Sequence, residues 1–314
     1  MKLLNLDEVK NITSIGAGPI GGGWTAFFLS KGFRVTSYLH DPSEKEMFMK
    51  IVKTAWKSLE QLGLSKNASL KNLSVTSDLE QSLEGAHFVQ ESAPEKLDLK
   101  QDLYNFMGKI LPDNIVISSS TSGFMMSDIQ KKCSTPERTI IGHPFNPPYI
   151  LPLVEIVGGD KTRKEAVDWA FSFYKYAGKA PLKLKKEIPG FVATRLQEAL
   201  WREALHMVDN GEATPEDIDT ALINGPAPRM VVQGQCMAFH VACGEGGMAT
   251  NLDQFGPALK WPWTRLEAPD LTKELRNKMV EGCNIMAGNT KFEDLVSSRD
   301  NAIVKVLNAL EKKK

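Results

Sequence analysis

Cysteine is sparse: four residues in 314, Cys133, Cys236, Cys243 and Cys283, with no Cys-x-x-Cys pair among them. That excludes a zinc knuckle or a redox dithiol and leaves free thiols and no bound metal as the expectation. Net charge is missing as well, because 38 Lys and Arg balance 38 Asp and Glu. A neutral chain lacks the electrostatic footprint that nucleic acid or an anionic membrane requires, so neither is an expected partner. The basic end, Glu311-Lys312-Lys313-Lys314, reads as a solvated helix terminus. No run approaches the roughly 18 apolar residues of a membrane span, and the first residues lack the apolar stretch of a secretory signal. A soluble, cytoplasmic protein is expected. Histidine is scarce too, with five residues, which narrows the search for a base.

A chain of 314 residues with a 42% hydrophobic share can bury more than one core, and two domains are expected. Val9–Ile15 is a short apolar-rich run that ends on glycines, and Ile20–Leu29 has helical apolar content. Further strand-like runs fall at Phe33–Leu39, His87–Gln90, Asn114–Ser119, Thr139–Gly142 and Leu153–Val157. Helical stretches separate them, including one after Ser43, a suitable cap, in which Met47, Ile51, Trp56 and Leu59 share a face. Such alternation predicts an α/β, Rossmann-type, doubly wound and mostly parallel sheet over 1–188. After Pro189-Gly190 the spacing of Phe191, Leu196, Leu200, Leu205 and Val208 becomes helical, which predicts an all-helical C-terminal domain over 189–314. Within it Gly211 reads as a helix stop, and Thr214-Pro215-Glu216-Asp217 as the start of the next helix.

Gly16-Ala17-Gly18-Pro19-Ile20-Gly21 lies between the first strand and its helix. Gly16 suits the tight turn, Gly18 a close approach of pyrophosphate to the backbone, and Gly21 close packing of helix on strand. The helix N-terminus then favours negative charge. Asp41, at the end of the second strand, can accept hydrogen bonds from a ribose diol and repel a 2′-phosphate, so NAD is the expected cofactor. A plain Asp-Pro turn is the competing reading of that residue.

Oxidation of a secondary alcohol needs a proton acceptor beside the hydroxyl. His143 follows the strand Thr139–Gly142, at the sheet edge where open α/β folds place ligands, and Glu155 can orient its ring. A solvent-facing place on an edge strand is the competing reading of Glu155. Ser118–Ser122 ends a strand at the same rim and offers hydroxyls to a substrate oxygen.

In order and spacing, Gly16–Gly21, Ser120-Thr121-Ser122, His143-Pro144-Phe145-Asn146-Pro147, Pro152-Leu153-Val154-Glu155 and Pro189-Gly190-Phe191-Val192 resemble the 3-hydroxyacyl-CoA dehydrogenase family. The resemblance implies His143 as general base, Glu155 as its orienting carboxylate, Ser122 as a hydroxyl donor near the nicotinamide, and Glu95 and Lys100 as contacts of NAD. It also implies a homodimer formed through the helical domain. Thr194 stands where the acyl-CoA enzymes carry a catalytic-site Asn, so that contact does not transfer. Asp41 also falls about two residues late against the family pattern.

The C-terminal half resembles the branch of that family that oxidises the 3-hydroxyl of L-carnitine, notably in Gln254-Phe255-Gly256-Pro257-Ala258-Leu259-Lys260-Trp261-Pro262-Trp263. A quaternary ammonium donates no hydrogen bond and is recognised by π-faces and diffuse negative charge. Phe255, Trp261 and Trp263 suit a cage and Glu245 a counter-charge, while Arg229 or Lys260 suits the carboxylate end. A helix junction or subunit interface is the competing use of the tryptophans. Three alternatives remain at this stage: a short-chain 3-hydroxyacyl-CoA dehydrogenase, an L-gulonate 3-dehydrogenase, and a catalytically silent NAD-binding protein.

Overall fold

The computed structural model describes residues 2–257, 264–265, 267, 270 and 272–311. The chain folds as two compact units, Met1–Thr194 with Asp300–Asn308, and Arg195–Arg299 with Ala309–Lys314.

The first unit holds eight strands: β1 Asn11–Ile15, β2 Arg34–Tyr38, β3 Leu73–Thr76, β4 Phe88–Glu91, β5 Val116–Ser119, β6 Thr139–Pro144, β7 Leu153–Gly158 and β8 Ala180–Lys183. They form one sheet in the order β3-β2-β1-β4-β5-β6-β7-β8. Every neighbouring pair is parallel except β6 with β7. Its helices are α1 Pro19–Ser30, α2 Lys45–Leu62, α3 Leu79–Leu83, α4 Leu97–Ile110, α5 Met126–Ile129 and α6 Lys164–Tyr176.

Two cores flank the sheet because successive strand residues face opposite sides. Ile12, Val116 and Ile140 join Trp24, Phe28, Phe48, Phe88 and Phe173 in one. Ile15, Ile117 and Ile141 join Tyr104, Met107 and Ile129 in the other. With both faces covered, the central strands are buried along nearly their whole length, and their polar residues Thr13, Ser14, Gln90, Ser118 and Ser119 are hydrogen-bonded. α1 is buried from Gly21 through Ser30, so its sequence is apolar all round. α2 buries Phe48, Val52, Ala55, Trp56 and Leu59 along a single stripe.

Several expectations need correction. Met47 lies outside the buried stripe of α2 and is exposed. The cap belongs to Asp41, whose carboxylate accepts from the Ser43 amide at 2.8 Å and starts the short turn Pro42–Glu44 ahead of α2. β3 and β8 are absent from the sequence reading. They are the two edges of the sheet, four residues each and partly exposed, so neither carries an apolar run, and Pro181 is tolerated in β8 as edge strands allow.

The second unit contains α7 Ala193–Asp209, α8 Pro215–Asn224, α9 Pro226–Ala242, α10 Gly247–Phe255, α11 Lys273–Ala287 and α12 Phe292–Glu311, of which α7 and α12 each run partly in the first unit. α8 starts on the expected signal: Thr214 and Asp217 form a reciprocal capping box, with Pro215 in the first turn. Gly211 takes φ +69° just after α7, as a helix stop does. Phe191 is not part of that helix and lies in the turn before it. Among the described residues, no helix is long and apolar enough to cross a membrane.

Candidate active site

The site assembles at one edge of the sheet. Tyr38, Ile15, Glu91, Ser119 and Ile141 stand in register across β2, β1, β4, β5 and β6. The segments that follow the first four, Gly16–Gly21, His40–Asp41, Ser92–Glu95 and Ser120–Gly123, therefore leave the sheet along a common rim, where such folds hold their ligands, and β6 carries Gly142 and His143 on past that rim.

The glycine turn is sterically closed to side chains at two points. A Cβ on Gly16, at φ +115°, would sit 2.4 Å from the Ser92 carbonyl oxygen, and one on Gly21 would sit 2.1 Å from the Gly16 oxygen. At Gly18 the same test meets no atom within 4 Å. The turn thus presents open space to a ligand at the start of α1, where Gly18 is the N-cap and Pro19 opens the helix. First-turn amides without helical partners and the helix dipole suit a pyrophosphate there, so these residues fit a dinucleotide. Asp41 is exposed, and its carboxyl is held below the usual range by the hydrogen bonds from Ser43.

His143 does not stand in a loop. β6 continues through Pro144, and the antiparallel return of β7 puts Glu155 directly opposite His143. The chain between the strands is too short for a crossover helix, so a hairpin-like return is enforced. Directly opposed residues bring their Cβ atoms to roughly 5 Å, and here Nδ1 of His143 lies 3.0 Å from Oε2 of Glu155. A carboxylate only accepts, so Nδ1–H donates and Nε2 is left as the acceptor. Glu155 is 0% exposed, not a solvent-facing edge residue, and His143 is 6% exposed. The other oxygen of Glu155, Oε1, accepts the amides of Val192 and Ala193, each at 2.9 Å. Burial alone would push this carboxyl up. The hydrogen bonds from His143, Ala193 and Val192, with the attraction of the imidazole, outweigh burial and hold it below the ordinary value. Phe191, 1% exposed, lays its ring 5.2 Å from the imidazole centroid.

Glu91, at the end of β4, is a buried carboxylate that the sequence reading missed. Its Oε1 accepts from Lys100 Nζ and from the Ala93 amide, both at 2.7 Å, and its Oε2 from the Ser119 hydroxyl at 2.6 Å. Lys100 is equally buried and reaches Glu95 at 3.4 Å. Glu95 accepts from the Thr121 hydroxyl and from the amides of Ser122 and Gly123 at 3.2 and 3.3 Å. Glu95 and Lys100 are thereby tied to the loop that carries Ser122, whose own side chain is exposed. An apolar-looking Phe-Val-Gln-Glu run gave no signal for Glu91 beyond a Lys nine residues on. The Val192 and Ala193 amides, as backbone groups, leave no trace in composition.

Of the residues expected at the substrate end, Arg229, Glu245 and Phe255 are described, and all three are exposed. Arg229 is exposed on α9 with its guanidinium 6.0 Å from the Phe239 ring. Glu245 is exposed in the turn Gly244–Gly246, and Phe255, at the end of α10, is 57% exposed. Lys260, Trp261 and Trp263 lie outside the described residues. Thr194, at the start of α7, is half-buried.

A dinucleotide cradle on a doubly wound sheet, with a buried histidine and carboxylate pair on the same rim, defines an NAD-dependent dehydrogenase. The chain belongs to the 3-hydroxyacyl-CoA dehydrogenase family: residues 11–188 match its NAD binding domain and residues 190–282 its C-terminal domain. It is 51% identical over 303 residues to an L-carnitine dehydrogenase of Streptomyces coelicolor, covering 96% of this chain and 95% of that one. To an L-carnitine dehydrogenase of Pseudomonas putida it is 42% identical over 309 residues, covering 98% and 96%. Among solved structures it is similar to 5-formyl-3-hydroxy-2-methylpyridine 4-carboxylic acid 5-dehydrogenase, an NAD+-dependent dismutase, with TM-score 0.83 and 27% identity over 96% of this chain and 99% of that one.

Proposed function

We propose that the protein oxidises the 3-hydroxyl of L-carnitine to 3-dehydrocarnitine with NAD. The observation that carries the reaction type is the His143–Glu155 contact at 3.0 Å. The substrate is supported by the near full-length similarity to L-carnitine dehydrogenases. When bound, NAD supplies the hydride acceptor. Gly16–Gly21 would hold its pyrophosphate, and Asp41 would accept hydrogen bonds from its ribose. Glu95 borders its pocket, with Lys100 holding Glu95 and the Ser122 loop in place. Nε2 of His143 takes the hydroxyl proton, Glu155 steadies the resulting imidazolium, and Ser122 hydrogen-bonds the substrate oxygen. Arg229 or Lys260 is assigned to the substrate carboxylate, and Phe255, Trp261, Trp263 and Glu245 to the quaternary ammonium. The domain roles follow the sequence reading, NAD binding over 1–188 and substrate binding and dimerisation over 189–314. A homodimer is supported by the apolar side chains that the helical unit leaves exposed, among them Leu196, Ile223, Val232 and Ile285.

NADH production with L-carnitine, L-gulonate and 3-hydroxybutyryl-CoA tests the substrate. The expected result is turnover with L-carnitine at least a hundred-fold above the other two by kcat/KM, roughly the discrimination that a site built around a substrate's polar groups supplies. Preference for either of the others would overturn the assignment, and NADH binding without turnover of any would revive a silent protein.

A further inference from the structure

Among non-glycine residues described, Phe191 alone has a positive φ, +51°, and it directly follows Gly190 at φ +70°. Two successive left-handed residues turn the chain sharply, and for a bulky buried side chain this conformation is disfavoured, so surrounding contacts must hold it. What those contacts hold is the dyad. The amides just after the turn, Val192 and Ala193, converge on Oε1 of Glu155 at 2.9 Å each, while the Phe191 ring lies beside the imidazole. Ala193 is also the first residue of α7, a helix of 17 residues, so the carboxylate sits at a helix N-terminus as well as in a turn of convergent amides.

We propose that the Gly190–Phe191 turn is a positioning device for the base: it aims two amides at Glu155 and seats its own ring against His143, so that the first turn of α7 fixes the orientation of the dyad. The inference rests on the reading of His143 as the base. Glu155 accepts three donors, and each stabilises its anion. Deleting an amide leaves the anion less satisfied, which raises the proton affinity of the His143–Glu155 pair as a whole. The groups around Glu155 leave this sign intact. Its ionisable hydrogen-bond partner is His143 on β6; opposite it on β8 stands Leu182; and the adjacent Lys183 pairs with Asp168.

Ala193→Pro tests the amide without removing a side chain from the dyad, because proline is tolerated at the first helical position. The pH midpoint of the His143–Glu155 pair, read in the kcat/KM profile of the full chain, should rise by about half a pH unit or more. kcat with L-carnitine and NAD should fall about ten-fold with KM for NAD unchanged. Phe191→Gly adopts the left-handed conformation freely and keeps the amides in place, so it should retain the wild-type midpoint while kcat falls from loss of the ring. Should Ala193→Pro not fold, Phe191→Ile, whose branched side chain opposes the turn, carries the same expectation. A midpoint unchanged or lowered in the amide variant, or wild-type kcat in Phe191→Gly, would overturn the proposal. Full activity in His143→Gln would instead overturn the reading of the base, whatever the midpoints.

Discussion

Glu155 is a fully buried carboxylate with three donors converging on it, and its chemistry depends on accepting all three. Glutamine is the same size but uncharged, and its NH2 either faces an N–H or turns His143 to the tautomer with the proton on Nε2, which cannot act as the base. Glu155→Gln should therefore lower kcat by about a hundred-fold or more, since the imidazolium loses its counter-charge. It should also cost about 1–3 kcal/mol of stability for the mispaired buried group. Steady-state kinetics and thermal unfolding measure the two. Because the folded protein holds this carboxyl low, its ionised form contributes stability above the ordinary carboxylate range, and that contribution is lost as pH falls through the lowered value. The fall in Tm on acidification through that window should be smaller for Glu155→Gln than for the wild type. His143 and Glu155 were each legible in the sequence, as a histidine at a strand end and an acid twelve residues on. Their direct opposition was not, because it requires the antiparallel pairing of β6 and β7 in a sheet whose pattern reads as parallel. Glu91 and Phe191 stayed hidden for a different reason: one resembles an ordinary strand residue and the other the first apolar position of a helix.

Strands and helices that belong to the sheet's centre were legible because burial on both faces places apolar residues there, Ile12 and Ile15 in β1, Phe88 and Val89 in β4, Val116 and Ile117 in β5. The edge strands β3 and β8 were not, being short and half-solvated. Arg138 shows how far element packing escapes sequence. It is fully buried and donates to the carbonyls of Gly108, Leu111, Pro112 and Ile115 and to the Thr135 hydroxyl, bolting the C-terminus of α4 to the strands beside it. The Gly108 and Leu111 carbonyls carry the negative end of the helix dipole, and Gly108 also accepts from the Thr135 hydroxyl and Pro112 from the Ile115 amide. Burial lowers the guanidinium's proton affinity, while neighbouring Cys133, Asp113 and Glu137 favour its charge. Arg138→Met should cost about 3 kcal/mol by removing the buried donor to four carbonyls and a hydroxyl. In thermal unfolding it should lower Tm by roughly 6 °C or more for a chain of this size. An unchanged Tm would show that the carbonyls find other donors.

The chain's two compact units differ in how well they satisfy themselves. The first closes two cores around its sheet, whereas the second leaves large apolar side chains on most of its helices in contact with solvent. A monomer seldom exposes so much apolar surface, and the proposed dimer would bury it against a second copy. Light scattering after size exclusion should therefore give twice the mass of the chain, and Leu200→Glu with Ile223→Glu should shift the population toward monomer. A monomeric wild type would contradict the dimer.

Replacing His143 by Gln tests the central claim most directly, with kcat on L-carnitine and NAD affinity by titration measured on the same preparation. Loss of a proton acceptor should reduce kcat by about 10² to 10⁴ and leave the affinity for NAD as it was. Turnover close to that of the wild type would show that the proton leaves by another route and that the pairing of His143 with Glu155 is not the catalytic base.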